Sequence, residues 1–111
     1  IRIINLYKIL QNNRSEYILS KQLIRAGTSI GANITEAEFA ISKKDFHAKL
    51  YIALKESVET MYWLELLEKT NYITPKEYES INKDCLELKK MLSSITKTTK
   101  DQNNKNKKKQ T

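Results

Sequence analysis

Leu19-Ser20-Lys21-Gln22-Leu23-Ile24-Arg25-Ala26-Gly27-Thr28-Ser29-Ile30-Gly31-Ala32-Asn33-Ile34-Thr35-Glu36-Ala37 decides how this chain folds. Leu19, Leu23, Ala26, Ile30, Asn33 and Ala37 recur at spacings of 4, 3, 4, 3 and 4. That rhythm lays them along one stripe of an α-helix, pointed at a core. It predicts a helix over about 14–39, opened by Asn13 with Glu16 three residues on, a pairing that resembles a capping box.

The same stretch carries features that a plain surface helix does not need. Gly27 and Gly31 each cost about 1 kcal/mol relative to alanine inside a helix, so something should offset them. Four apart, they share a face with nothing to hold another helix away; close helix packing is the functional reading and a local bend the plain one. Gln22, Arg25, Ser29 and Glu36 form a polar stripe one position off the seam, either a solvated face or a hydrogen-bonded contact between subunits. Asn33 favours the contact, because a buried amide without partners costs about 1–3 kcal/mol and polar seam residues set register.

Upstream, Ile3, Leu6, Tyr7 and Leu10 form an incomplete amphipathic helix over about 1–12. It opens at Ile1 with no capping residue, which leads us to expect residues ahead of it. Asn12-Asn13-Arg14-Ser15 then favours a turn. Downstream, Ser42 and Asp45 signal a helix over about 43–70. Its apolar residues, among them Phe46, Leu50, Tyr51, Ile52, Ala53, Leu54, Val58, Met61, Tyr62, Trp63, Leu64 and Leu67, are spread too widely for one stripe, so neighbours are expected on two sides. Thr74-Pro75-Lys76-Glu77 combines an N-cap threonine, a proline at the first helical position and a glutamate at N3, and starts a fourth helix. Tyr78, Ile81, Cys85, Leu88, Leu92 and Ile95 give that helix a single seam.

Composition agrees. Two glycines and one proline in 111 residues leave too little turn punctuation for a sheet protein. The fold expected is all-α: an antiparallel up-down four-helix bundle over residues 1–98, with a disordered basic tail over 99–111. A lone Cys85 excludes an internal disulfide, and no apolar run approaches the about 20 residues of a membrane span, so the chain is expected to be cytoplasmic with no membrane partner. Net charge is +7, yet residues 97–111 hold six lysines and one acid while residues 1–96 hold 14 basic and 12 acidic residues. The basicity therefore belongs mainly to the end of the chain.

No motif for catalysis is present. His47 is the only histidine and has no second imidazole for a metal site; it is expected to be exposed. Cys85 sits in an apolar seam and reads as core. Glu56, Glu59, Glu65 and Glu68 lack the Glu-x-x-His pairs of a di-metal bundle. Tyr51, Tyr62, Trp63 and Tyr72 could stack on bases, although aromatics at helical spacing are more often core or interface residues. No enzyme, no metal and no cofactor are expected.

Gln22-Leu23-x-Arg25-Ala26-Gly27-Thr28-Ser29-Ile30-Gly31-Ala32-Asn33-Ile34-x-Glu36-Ala37, together with Glu56-Ser57-x-Glu59-x-x-Tyr62-Trp63-Leu64, resembles a known family: the small four-helix-bundle proteins encoded in intervening sequences of 23S ribosomal RNA genes. The resemblance covers about residues 1–95 and implies an up-down bundle assembled as a homopentameric ring without known catalysis. The candidate residues for oligomer contact or helix packing are Gln22, Arg25, Gly27, Ser29, Gly31, Asn33, Glu36, Tyr62 and Trp63. The chain is also similar to the accessory variability protein of diversity-generating retroelements, which implies nucleic acid and a reverse transcriptase as partners. Family members usually carry a longer first helix.

The leading functional expectation is a non-enzymatic homo-oligomer that binds RNA or DNA through phosphate contacts. Arg25, Lys43, Lys44 and Lys49, with Lys105, Lys107, Lys108 and Lys109 of the tail, are the candidate contacts; a ring would repeat each in every subunit and concentrate the field. The alternative is a protein-binding scaffold or accessory subunit with no direct nucleic-acid role.

Overall fold

The structure, a computed structural model, describes the backbone of residues 1–110 and the side chains of residues 1–100. It contains four helices and, among the described residues, no strand: α1 (Arg2–Asn12), α2 (Leu19–Glu38), α3 (Lys43–Lys69) and α4 (Pro75–Gln110). Cross-helix pairs define the topology. Arg25 meets Glu59 and Glu36 meets Lys49 between α2 and α3, while His47 meets Thr99 between α3 and α4. Leu64 and Leu67 cluster with Ile81 and Cys85 while Leu50 and Ala53 cluster with Leu92. Leu10 lies by Glu16 while Ile3 lies by Gly27. Along each interface one number therefore rises as its partner falls, and successive helices run antiparallel, up-down-up-down.

Local chemistry sets the helix ends. Ser42 Oγ accepts from the Asp45 N–H at 3.0 Å, as its sequence position predicts. Thr74 and Glu77 form a reciprocal capping box, the Thr74 N–H donating to Glu77 Oε1 and the Glu77 N–H to Thr74 Oγ1. At the end of α3 the Tyr72 N–H donates to the Leu67 carbonyl and the Asn71 N–H to that of Glu68, with Asn71 at φ 67°. This is a Schellman closure in which asparagine takes the left-handed position.

The start of α2 differs from expectation. Asn13 is not its cap, and the helix opens at Leu19 rather than near residue 14. Glu16 turns its carboxylate onto the N–H groups of Ile18, Leu19 and Ser20 at 3.0, 2.8 and 2.6 Å, while Ser20 Oγ donates back to the Glu16 carbonyl. One buried acid thus satisfies three of the orphan donors of the first turn. Burial pushes its pKa up, but the N–H groups of Leu19, Ser20 and Ile18 outweigh this and hold it below 4.5.

Two clusters form the core. Leu6, Leu10, Leu23, Leu64, Leu67, Ile73, Ile81 and Cys85 join all four helices. Ile30, Ala37, Leu50, Ala53 and Leu92 join only α2, α3 and α4. The reason is length: α1 has 11 residues against 27 in α3. Arg2, at its start, pairs with Asp84, so α4 beyond that point has no α1 beside it. Ile95, expected in the seam, is 36% exposed, and Thr96 is buried instead.

In α3, Leu50, Ala53, Ser57, Thr60, Leu64 and Leu67 form the buried stripe. The helix packs against both α2 and α4, as its apolar spread predicts. Tyr51, Ile52, Val58 and Tyr62 nevertheless remain exposed on the single chain. Helix α4 is the longest of the four, and the tail expected to be disordered, residues 99–111, falls from residue 101 onward outside the residues whose side chains are described. No glycine or proline follows Pro75, so nothing in the local sequence stops the helix.

Candidate functional site

The two sequence motifs meet across α2 and α3. Arg25 donates to Gln22 Oε1 at 3.3 Å and to Glu59 Oε1, and lies 3.5 Å from Glu56 Oε2. Trp63 Nε1 donates to the same Glu59 oxygen at 3.1 Å, and the Tyr62 ring meets Trp63 edge-on with centroids 5.0 Å apart. One guanidinium thus bridges two carboxylates, which explains why these residue types sit at these spacings. Tyr62 itself is 53% exposed.

The remaining contact candidates separate. Asn33 is half-buried at the seam's edge and satisfies its amide on its own helix, donating to Ser29 O at 2.9 Å and Ser29 Oγ at 3.1 Å. Glu36 pairs with Lys49 at 2.9 Å, and that hydrogen bond raises the Lys49 pKa. Gly27 lies under Ile3 of α1, whereas a Cβ at Gly31 would meet no atom within 4 Å. The glycine face is used within the chain at one residue and open at the other.

The expected phosphate-binding set also divides. Arg25 and Lys49 are both held in ion pairs with acids, so neither offers a free positive charge. Lys43 and Lys44 are exposed at the start of α3. Lys105, Lys107, Lys108 and Lys109 lie outside the residues whose side chains are described.

The basic face that emerges instead belongs to α4. From Leu88 to Lys100 the helix carries Lys89, Lys90, Lys97 and Lys100 and no acid; Glu87 precedes this run and Asp101 follows it in sequence. No ion pair among the described residues engages those four lysines. A surface recess of about 420 Å³ lies where α4 meets α3, lined by His47, Tyr51, Ser93, Thr96, Lys97 and Lys100. A second, of about 370 Å³, shares Ser93 and Lys97 and adds Leu86, Lys89, Lys90 and Ser94. Lys43 and Phe46 line a third with Glu38 and Thr99, so Lys43 belongs to the same end of the bundle.

His47, expected to be exposed, is instead half-buried. Its Nδ1 lies 2.7 Å from Thr99 Oγ1, and its ring stacks on Tyr51 with centroids 6.2 Å apart and planes at 16°. Thr99 Oγ1 also donates to the Thr96 carbonyl at 3.1 Å. A hydroxyl has one proton, so with that proton on Thr96 it accepts from Nδ1–H, leaving Nε2 unused. The acid-free run over 88–100 was the one sequence signal for this face. The approach of His47 and Tyr51 to it had none, because they are about 50 residues away in the chain.

Among the described residues no group of three or more His, Cys, Asp or Glu side chains could hold a metal ion, and no helix is long and apolar enough to cross a membrane. Cys85 is buried, with desolvation raising its thiol pKa.

Four antiparallel helices, tied between α2 and α3 by a two-motif ion-pair network, define a small all-helical bundle protein. Within that class the chain belongs to the 23S rRNA-intervening sequence protein family, whose pattern matches residues 1–94. It is also similar to a solved crystal structure of a protein with unknown function from the S23 ribosomal protein family of Bacteroides thetaiotaomicron VPI-5482. The two chains are 61% identical, with a TM-score of 0.85 over 86% of this chain and 89% of the other. No curated protein matches the chain.

Proposed function

We propose that this bundle is a non-enzymatic nucleic-acid-binding protein that works through phosphate contacts and assembles as a homopentameric ring. The observation that carries the reading is the α4 face: four lysines and no acid between Leu88 and Lys100, at the end of the bundle that also bears Lys43 and Lys44. Repetition around a ring multiplies that field at little cost to each subunit's own folding. Lys105, Lys107, Lys108 and Lys109 extend the same charge along the sequence.

The test is fluorescence anisotropy of labelled RNA and DNA against salt concentration. Binding is expected to weaken linearly in log–log form as counterions are released, and changing Lys89, Lys90, Lys97 and Lys100 to alanine should flatten the slope. No binding at low salt, or binding indifferent to salt, overturns the reading.

One observation favours a second reading, an accessory subunit or scaffold that docks a protein such as a reverse transcriptase. Phe39 and Ile41 are 80% and 95% exposed in the α2–α3 loop, and Ile18 is 78% exposed. Apolar side chains so placed suit protein contacts. Native mass spectrometry separates the parts of the proposal: a monomer at micromolar concentration removes the ring and leaves those residues for another partner.

A further inference from the structure

Granting the nucleic-acid reading above, we propose that His47 and Tyr51 form a stacking platform for one unpaired base, which makes single-stranded nucleic acid the preferred ligand. Four features of the α3–α4 recess meet on this point. It is an open surface recess of about 420 Å³ rather than an enclosed pocket, so a planar group can enter it from solvent. Tyr51 is 51% exposed even though His47 stacks on it, so ring surface remains for a third planar group. The Thr99 contact fixes the imidazole orientation and leaves Nε2 as an acceptor for an amino group on a base edge. Lys97 and Lys100 line the same recess, where the phosphate attached to a stacked base would lie.

The neighbouring recess supplies a track for the rest of the strand. It shares Ser93 and Lys97 with the first and adds Lys89 and Lys90. From Leu86 to Lys100 the path along α4 is about 21 Å at 1.5 Å per residue, long enough for a few nucleotides. A duplex can meet the lysines, but its bases are stacked on one another and offer no face to Tyr51. Polyglutamate can also meet the lysines, but it carries no aromatic ring to stack on Tyr51. The acids that adjoin these residues in the sequence or line the neighbouring recess are Glu38, Asp45 and Glu87, with Asp101 next along the chain; they are outnumbered by Lys43, Lys44, Lys89, Lys90, Lys97 and Lys100.

The experiment compares the full chain binding labelled single strands of RNA and of DNA with the duplex of the same sequence at low salt. Single strands are expected to bind more tightly, with the two sugar types showing whether the 2′-hydroxyl contributes. Tyr51→Ala should weaken single-strand binding by about tenfold and leave duplex binding unchanged, while Tyr51→Phe retains it. Tyr51→Leu keeps apolar bulk without a ring and should lose affinity as alanine does, with circular dichroism confirming an unchanged fold. Lys97→Ala with Lys100→Ala should weaken both forms. If the lysine changes weaken binding but the Tyr51 variants do not, the platform falls and the phosphate reading stands. If the duplex binds as tightly as the single strand, or polyglutamate displaces the strand while Tyr51→Ala has no effect, the platform is likewise overturned. If no nucleic acid binds at low salt, both readings fall together.

Discussion

Gly27 of α2 lies directly beneath Ile3 of α1: a Cβ at residue 27 would stand 2.7 Å from Ile3 Cγ2 and 3.2 Å from Ile3 Cβ. Those contacts are tighter than a side chain accepts, and Ile3 is β-branched with little rotamer freedom to retreat. The missing side chain is what lets α1 settle on α2.

Two alanine substitutions should therefore act in opposite directions. Gly31→Ala meets no neighbour and should stabilise the fold by about 0.5–1 kcal/mol through helix propensity. Gly27→Ala gains the same propensity but must displace Ile3, and overpacking costs about 1–3 kcal/mol. Urea denaturation of the pair measures the difference, and equal shifts in midpoint would contradict the packing described here.

Removing Arg25 should cost more than removing one partner. Arg25→Ala leaves Glu56 and Glu59 one turn apart with no cation between them, and Glu56 has only 18% of its side chain exposed. Nor does any hydrogen bond satisfy Glu56 Oε2, whose charge contact is Arg25. A loss of about 1–3 kcal/mol is expected, with Glu56→Gln in the Arg25→Ala background restoring part of it. Additive effects in that double-mutant cycle would show that the network is not coupled.

Acid should unfold the bundle from its helix starts. The Arg14 hydrogen bond and the Thr74 N–H hold the Glu77 carboxyl below its usual 4.5, while Glu16 is lowered by the N–H groups of α2. A folded pKa below the unfolded one contributes stability that is complete above about pH 4.5 and is lost as pH falls through the folded values. Thermal midpoints by circular dichroism should therefore drop below that pH. Glu16→Gln should flatten the drop while costing about 1–3 kcal/mol near neutrality, because an amide offers one acceptor where the carboxylate supplies two.

Cys85 serves as a reporter of global opening. It is 8% exposed and burial raises its thiol pKa, so the reactive thiolate is scarce and shielded. Alkylation at neutral pH should be slow in the native protein and rise with denaturant along the unfolding curve. Fast labelling without denaturant would place the thiol at the surface.

The helices were legible because their signals are local. Thr74-Pro75-Lys76-Glu77 and Ser42-x-x-Asp45 specify caps within one turn, and the seam through Leu23, Ala26, Ile30 and Ala37 specifies a buried face. Glu16 was misread because an acidic side chain can cap either as N3 of one helix or from ahead of another, and the Ser15 backbone at φ 52° selects the second. Arg25 and Lys49 were candidates for phosphate contact, since sequence shows their charge but not the glutamates that neutralise it across the α2–α3 interface.

By itself the sequence pointed to four helices and to the caps of α3 and α4, which follow from signals within a few residues, and its two motifs pointed to the family. Only the tertiary structure decided which charges stay available and which aromatic residues stand beside them. Lys97, Lys100, His47 and Tyr51 share one recess because α3 and α4 run antiparallel at a particular register. That register is set by packing Leu50, Ala53 and Leu92 in the core, a long-range fit that no local pattern encodes.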